Sequence, residues 1–85
     1  MKIKVTNEFK RNIKKYKKEK SLIEKVEKQI KKISENPEIG QFLTGDKKGQ
    51  RKIYITPFRL LYYYHKNSET IYLIDFDHRD IIYKK

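Results

Sequence analysis

Three runs dense in isoleucine, tyrosine and phenylalanine, residues 51–55, 58–65 and 70–76, are separated only by Thr56-Pro57 and by Lys66-Asn67-Ser68-Glu69. Those separators are turn chemistry and too short for a crossover, so the runs predict an antiparallel meander. Nine of the eleven aromatic residues fall between Phe42 and Tyr83. Strands favour such residues, and their clustering argues for a folded chain although 39% of it is charged.

The first half reads differently. Lys2 to Thr6 alternates Ile3 and Val5 with polar neighbours, the pattern of a short half-buried strand. Thr6 or Asn7 can then cap a helix in which Phe9, Ile13 and Tyr16 form one stripe among lysines, running to about Lys18. Ser21-Leu22-Ile23-Glu24 has the spacing of a capping box, and Leu22, Val26, Ile30 and Ile33 continue as the apolar stripe of a second helix. Asn36-Pro37 ends it, because the proline ring disfavours a helical conformation at the preceding residue. Residues 37–50 hold all three glycines and Phe42-Leu43, a loop with a hydrophobic clip.

The order strand, helix, helix, three strands predicts one α+β domain over residues 1–85, with two N-terminal helices on one face of an antiparallel sheet and the other face open. Eighty-five residues leave no room for a second domain. The longest apolar run, Leu60 to Tyr64, is far short of the roughly 20 residues that cross a bilayer. Met-Lys-Ile-Lys-Val does not resemble a signal peptide, and no cysteine is present. The expectation is a soluble cytoplasmic protein with no membrane association.

The net charge is +11, of which residues 1–36 contribute +8 and residues 37–85 contribute +3. So large an excess attracts polyanions, although lysine on a helix often only solvates its outer face. Alternation places Lys52, Tyr54, Arg59, Leu61 and Tyr63 on the face away from the helices, and groups Tyr72, Ile74 and Phe76 against Leu73 and Asp75. Cations interleaved with rings suit single-stranded nucleic acid, since ammonium and guanidinium groups meet phosphates and rings stack on bases.

The segment from Asp75 to Tyr83 is dense in ionisable groups. His78 suits general acid or base work, Arg79 can neutralise charge on phosphorus, and Tyr83 can stack on a base. Asp75, Asp77 and His78 lack a convergent second set of ligands, so no metal and no other cofactor is expected. The glycines do not have the spacing of a phosphate loop, and no serine or threonine has a patterned base beside it.

Residues 43–55 (Leu-Thr-Gly-Asp-Lys-Lys-Gly-Gln-Arg-Lys-Ile-Tyr-Ile), Phe58-Arg59-Leu60-Leu61-Tyr62 and His78-Arg79-Asp80-Ile81-Ile82-Tyr83 resemble, in order and spacing, the successive signatures of the RelE/ParE toxin superfamily. The resemblance implies the toxin of a type II toxin–antitoxin pair with a RelE-like microbial ribonuclease fold. It also implies a cognate acidic, RelB-like antitoxin, with a heterotetramer as one form of the complex. RelE-like members cut mRNA in the ribosomal A site without a metal; ParE-like members on the same scaffold poison DNA gyrase. By position, Lys52 becomes a base or electrostatic stabiliser, Arg59 a phosphate clamp, Arg79 or His78 the group at the leaving oxygen, and Tyr83 the residue that orients the base. Arg51, Tyr54 and Tyr63 would line the RNA path. Two departures stand out: Tyr54 replaces a second basic residue, and Asp77 stands where some nucleases have arginine. The leading expectation is a ribosome-dependent endoribonuclease; the rivals are a gyrase-binding toxin and an inactive RNA-binding module.

Overall fold

A computed structural model describes residues 1–85, with β1 (Lys2–Val5), α1 (Asn7–Lys15), α2 (Lys20–Glu35), β2 (Gln41–Phe42), a 3-10 turn (Gly45–Lys47), β3 (Arg51–Ile55), β4 (Phe58–His65), β5 (Thr70–His78) and α3 (Arg79–Ile82). The sheet order is β1-β5-β4-β3-β2. The meander β3-β4-β5 is antiparallel as expected, but β1 joins the edge of β5 in parallel, so the sheet is mixed. No helix is long and apolar enough to cross a membrane.

Thr6 caps α1, its hydroxyl accepting from the Phe9 N–H at 3.2 Å. The helix stops at Lys15 rather than near Lys18; the Tyr16 N–H already closes a tighter turn on the Ile13 carbonyl. Ser21 forms no capping box, because α2 begins at Lys20, two residues before the Leu22 start that a Ser21 cap implies, and leaves Glu19 at the cap with no side-chain bond. Asn36 ends α2 as Pro37 requires.

Phe9, Val26, Ile33, Ile55, Leu60, Tyr62, Ile71, Leu73 and Phe76 form the core between helices and sheet. Full burial of each such side chain removes roughly 1.5–3 kcal/mol of apolar exposure. Tyr62 belongs here because its hydroxyl donates to the Pro37 carbonyl at 2.8 Å and accepts from the Gly40 N–H at 2.9 Å. Those bonds fasten the loop after α2 to the sheet.

Four expectations need correction. All four residues of β1 are exposed, since it is an edge strand beyond the cover of the helices. Phe42 is 62% exposed and makes no apolar clip; it lies against the Arg51 guanidinium at 3.8 Å. In β5, Leu61 pairs with Asp75 while Tyr62 pairs with Leu73, so Ile74 is an extra residue in the strand. This bulge inverts the alternation: Ile71 and Leu73 share the core side with Phe76. Finally, the second face is not wholly open. Leu61 lies there fully buried, and α3, which contacts β4 and β5 and buries its own Ile82, covers it.

Candidate functional site

Cross-strand pairing arranges the face opposite the helices in three rows. Lys4, Tyr72 and Tyr63 form one, Asp75, Leu61, Lys52 and Gln41 the next, and Asp77, Arg59 and Tyr54 the third. The middle row is crossed by α3, which brings Tyr83 to Lys52.

The Lys52 Nζ lies 5.2 Å from the Tyr54 ring centre and 6.0 Å from that of Tyr83. The Arg59 guanidinium lies over the Tyr54 ring, 4.1 Å from its centre, and one of its nitrogens donates to the Phe58 carbonyl at 2.9 Å. Lys52 and Arg59 have no carboxylate partner, whereas Lys15, Lys66, Arg79 and Lys85 all do. Cations held beside rings and left without a counter-charge are chemically suited to an anion.

Arg59 is free because its cross-strand neighbour is engaged elsewhere. The fully buried Asp77 carboxylate turns toward α1 and accepts from Tyr16 Oη at 2.7 Å, Lys15 Nζ at 2.9 Å and the His78 N–H at 2.9 Å. Burial pushes the Asp77 carboxyl up, but the bonds from Tyr16, Lys15, the His78 backbone and Lys85 outweigh it and hold the group well below the usual carboxylate range. Burial, and then the bond to Asp77, push Tyr16 up to about 12. Asp75 accepts from Asn12 Nδ2, from the Phe76 N–H at 2.8 Å and from Lys85 Nζ at 2.9 Å.

The remaining expected site residues divide. Tyr63 is on the same face one row away, its ring 6.2 Å from that of Tyr72. Arg79 opens α3 with an exposed side chain, its Nε 3.9 Å from Asp80 and its N–H donating to the Pro57 carbonyl. Two residues are not gathered with the others. His78 pairs across from Phe58, packs edge-on against that ring at 5.7 Å, and caps α3 by accepting the Asp80 N–H on Nδ1. Its position is therefore the helix side of the sheet. Arg51 alternates with Lys52, so it also faces the helix side, and its guanidinium donates to the Glu38 and Gly40 carbonyls at 3.0 and 2.9 Å. It braces the loop between α2 and β2.

The Asn12, Lys15, Tyr16, Asp75, Asp77 and Lys85 cluster was not anticipated. Two aspartates two residues apart inside an otherwise apolar strand were the available signal, since a buried carboxylate demands partners from another element.

The sequence model of the ParE toxin of the type II toxin–antitoxin system parDE matches residues 3–83. Among solved structures, a chain of the RelBE2 toxin–antitoxin complex of Mycobacterium tuberculosis superposes with a TM-score of 0.77 at 24% identity, covering 92% of this chain and 96% of that one. The solution structure of the conserved hypothetical protein HP0892 of Helicobacter pylori superposes at 0.62 with 22% identity, covering 94% and 96%. No curated protein sequence matches. The fold is that of a toxin of the RelE/ParE superfamily. Within it, the chain belongs to the ParE toxin family of type II toxin–antitoxin systems.

Proposed function

We propose that this toxin is a ribosome-dependent endoribonuclease that cuts mRNA in the A site and is held inactive by a cognate acidic antitoxin. The observation that carries this reading is the pairing of two cations lacking carboxylate partners, Lys52 and Arg59, with Tyr54 and Tyr83 around them. RNA supplies its own nucleophile beside its own phosphorus. The substrate 2′-OH gives its proton to water and bonds to phosphorus, the bond to the 5′-oxygen breaks, and that oxygen takes up a proton from water. Products carry a 2′,3′-cyclic phosphate and a 5′-hydroxyl.

In this scheme Arg59 clamps the phosphate, Lys52 stabilises charge developing on it, Arg79 serves the leaving oxygen, and Tyr83 and Tyr54 stack on bases. His78 acts by capping α3 rather than by proton transfer. A set with so little acid and base machinery depends on the ribosome to splay the message into an in-line geometry. Purified protein added to translating ribosomes should produce new 3′ ends bearing cyclic phosphate; ends bearing a 3′-hydroxyl would sink the 2′-OH mechanism.

The match to a ParE description and the single lysine on the open face of β3 favour a second reading, binding and poisoning of DNA gyrase. Pulse labelling after induction separates the two. Protein synthesis stops first if the message is cut, and DNA synthesis stops first if gyrase is poisoned.

A further inference from the structure

Tyr83 reaches Lys52 from a helix of one turn, Arg79–Ile82, too short to hold itself in place. The Tyr83 ring is 44% exposed and its hydroxyl makes no hydrogen bond, so its position comes from the residues around it. On one side is Ile82, fully buried. On the other is Lys85, whose Nζ lies 2.9 Å from Asp75 Oδ2, 3.2 Å from Asp77 Oδ2 and 3.5 Å from Glu8 Oε1.

The charges are matched. Asp75 and Asp77, 6% and 0% exposed in their side chains, face two ammonium groups. Lys15 reaches only Asp77, so Lys85 is the one cation available to Asp75. A buried carboxylate stripped of its cation is strongly unfavourable, which ties Lys85 down far more firmly than an exposed ion pair would. Burial alone would lower the Lys85 ammonium, but the two aspartates outweigh it and raise it.

We infer that Lys85 is the positioning residue of the candidate site: by docking on the buried Asp75–Asp77 pair it folds the chain after α3 back onto the sheet and fixes Tyr83 beside Lys52. The geometric part stands independently; its consequence for cleavage rests on the nuclease reading above. The same pair of aspartates thus withdraws negative charge from Arg59 and anchors the ring that completes the site.

The test compares Lys85→Met, which keeps the aliphatic stem, with Lys85→Arg, which keeps the charge, in the full chain. In the wild type, nuclear Overhauser contacts should join the Tyr83 ring to the Lys52 side chain, and the Lys84 N–H, bonded to the Ile81 carbonyl, should be protected. Lys85→Met should lose those contacts and exchange the Lys84 amide about tenfold faster or more, with β4 amides unchanged, while Lys85→Arg retains both. Where Lys85→Met alone fails to fold, the double variant with Asp75→Asn removes both buried charges and must still lose the contacts. Retention of the contacts in either charge-removed variant overturns the inference. If the wild type cleaves mRNA, Lys85→Met should lower kcat about tenfold with KM nearly unchanged, and Lys85→Arg should restore it. Unchanged kcat after loss of the contacts would overturn the functional half. A wild type that does not cleave fails the nuclease reading alone, since the contacts still decide the geometry.

Discussion

Arg59 and Tyr54 stand directly opposite each other on β4 and β3, and the guanidinium lies 4.1 Å from the ring centre. The ring holds the fork in place without neutralising it, so the cation is ordered before any phosphate arrives. On the proposed nuclease reading, Arg59→Ala should lower cleavage roughly 10²-fold or more, as loss of a charge partner in the transition state does. Its melting curve should stay close to wild type, because the side chain is not in the core. Arg59→Lys should restore only part of the activity, since an ammonium lacks the planar fork. Full activity in a well-folded Arg59→Ala protein would remove Arg59 from the site.

Gly40 tests the loop that carries β2. A methyl group there would meet the Tyr62 ring and hydroxyl at 2.8 Å, and Tyr62 is fully buried and cannot swing away. Gly40→Ala should destabilise the fold by about 1–3 kcal/mol, a cost typical of overpacking. Chemical denaturation measures it, and an unchanged midpoint would mean that the ring has room to move.

Much of this architecture was readable before the structure. Turn chemistry at Thr56-Pro57 and Lys66 to Glu69 gave the meander, and alternation on β3 and β4 put Lys52, Tyr54, Arg59 and Tyr63 on one face. Alternation failed at Ile74, because a bulge adds one residue without leaving a distinctive sequence mark. It also gave no hint of where the chain after β5 would go. Asp80, Ile81 and Ile82 have no period to read over so short a span, so a turn of helix across Leu61 was not expected, nor was the separation of His78 from Arg59. Arg51, expected along the RNA path, stands one residue from Lys52, and that offset moves a strand side chain to the opposite face, where its guanidinium meets the Glu38 and Gly40 carbonyls.

Tyr16 is the neutral side-chain donor among the groups that hold Asp77. Its hydroxyl donates at 2.7 Å to a carboxylate with no solvent exposure. Tyr16→Phe keeps the edge-on packing against Phe58 and Phe76, at 5.0 and 5.7 Å between ring centres, and deletes only the hydroxyl. The expected loss is about 1.5–3 kcal/mol, as for a hydrogen bond to a charged group. The loss should shrink in an Asp77→Asn background, and equal losses in both backgrounds would show that the hydroxyl is not acting through the aspartate.

The same cluster makes stability depend on pH at both ends of the scale. The Asp77 carboxyl is held down in the fold, so its contribution is complete above the unfolded carboxylate value, about 3.9, and fades as pH falls toward the lower folded value. Lys85 and Tyr16 are both held up, Tyr16 to about 12. Their contributions are complete below their unfolded values, about 10, and fade as pH rises through the interval above. Denaturation midpoints should therefore form a plateau between roughly pH 5 and 9 and decline on either side. Asp77→Asn should be less stable on the plateau, because Lys15 and Lys85 lose a carboxylate they share, yet its acid limb should be shallower. Lys85→Met should flatten part of the alkaline limb and leave the acid limb in place through Lys15 and Tyr16. If Asp77→Asn retains the wild-type acid slope, some other carboxylate governs it, and the cluster does not bear the charge balance that keeps Arg59 free.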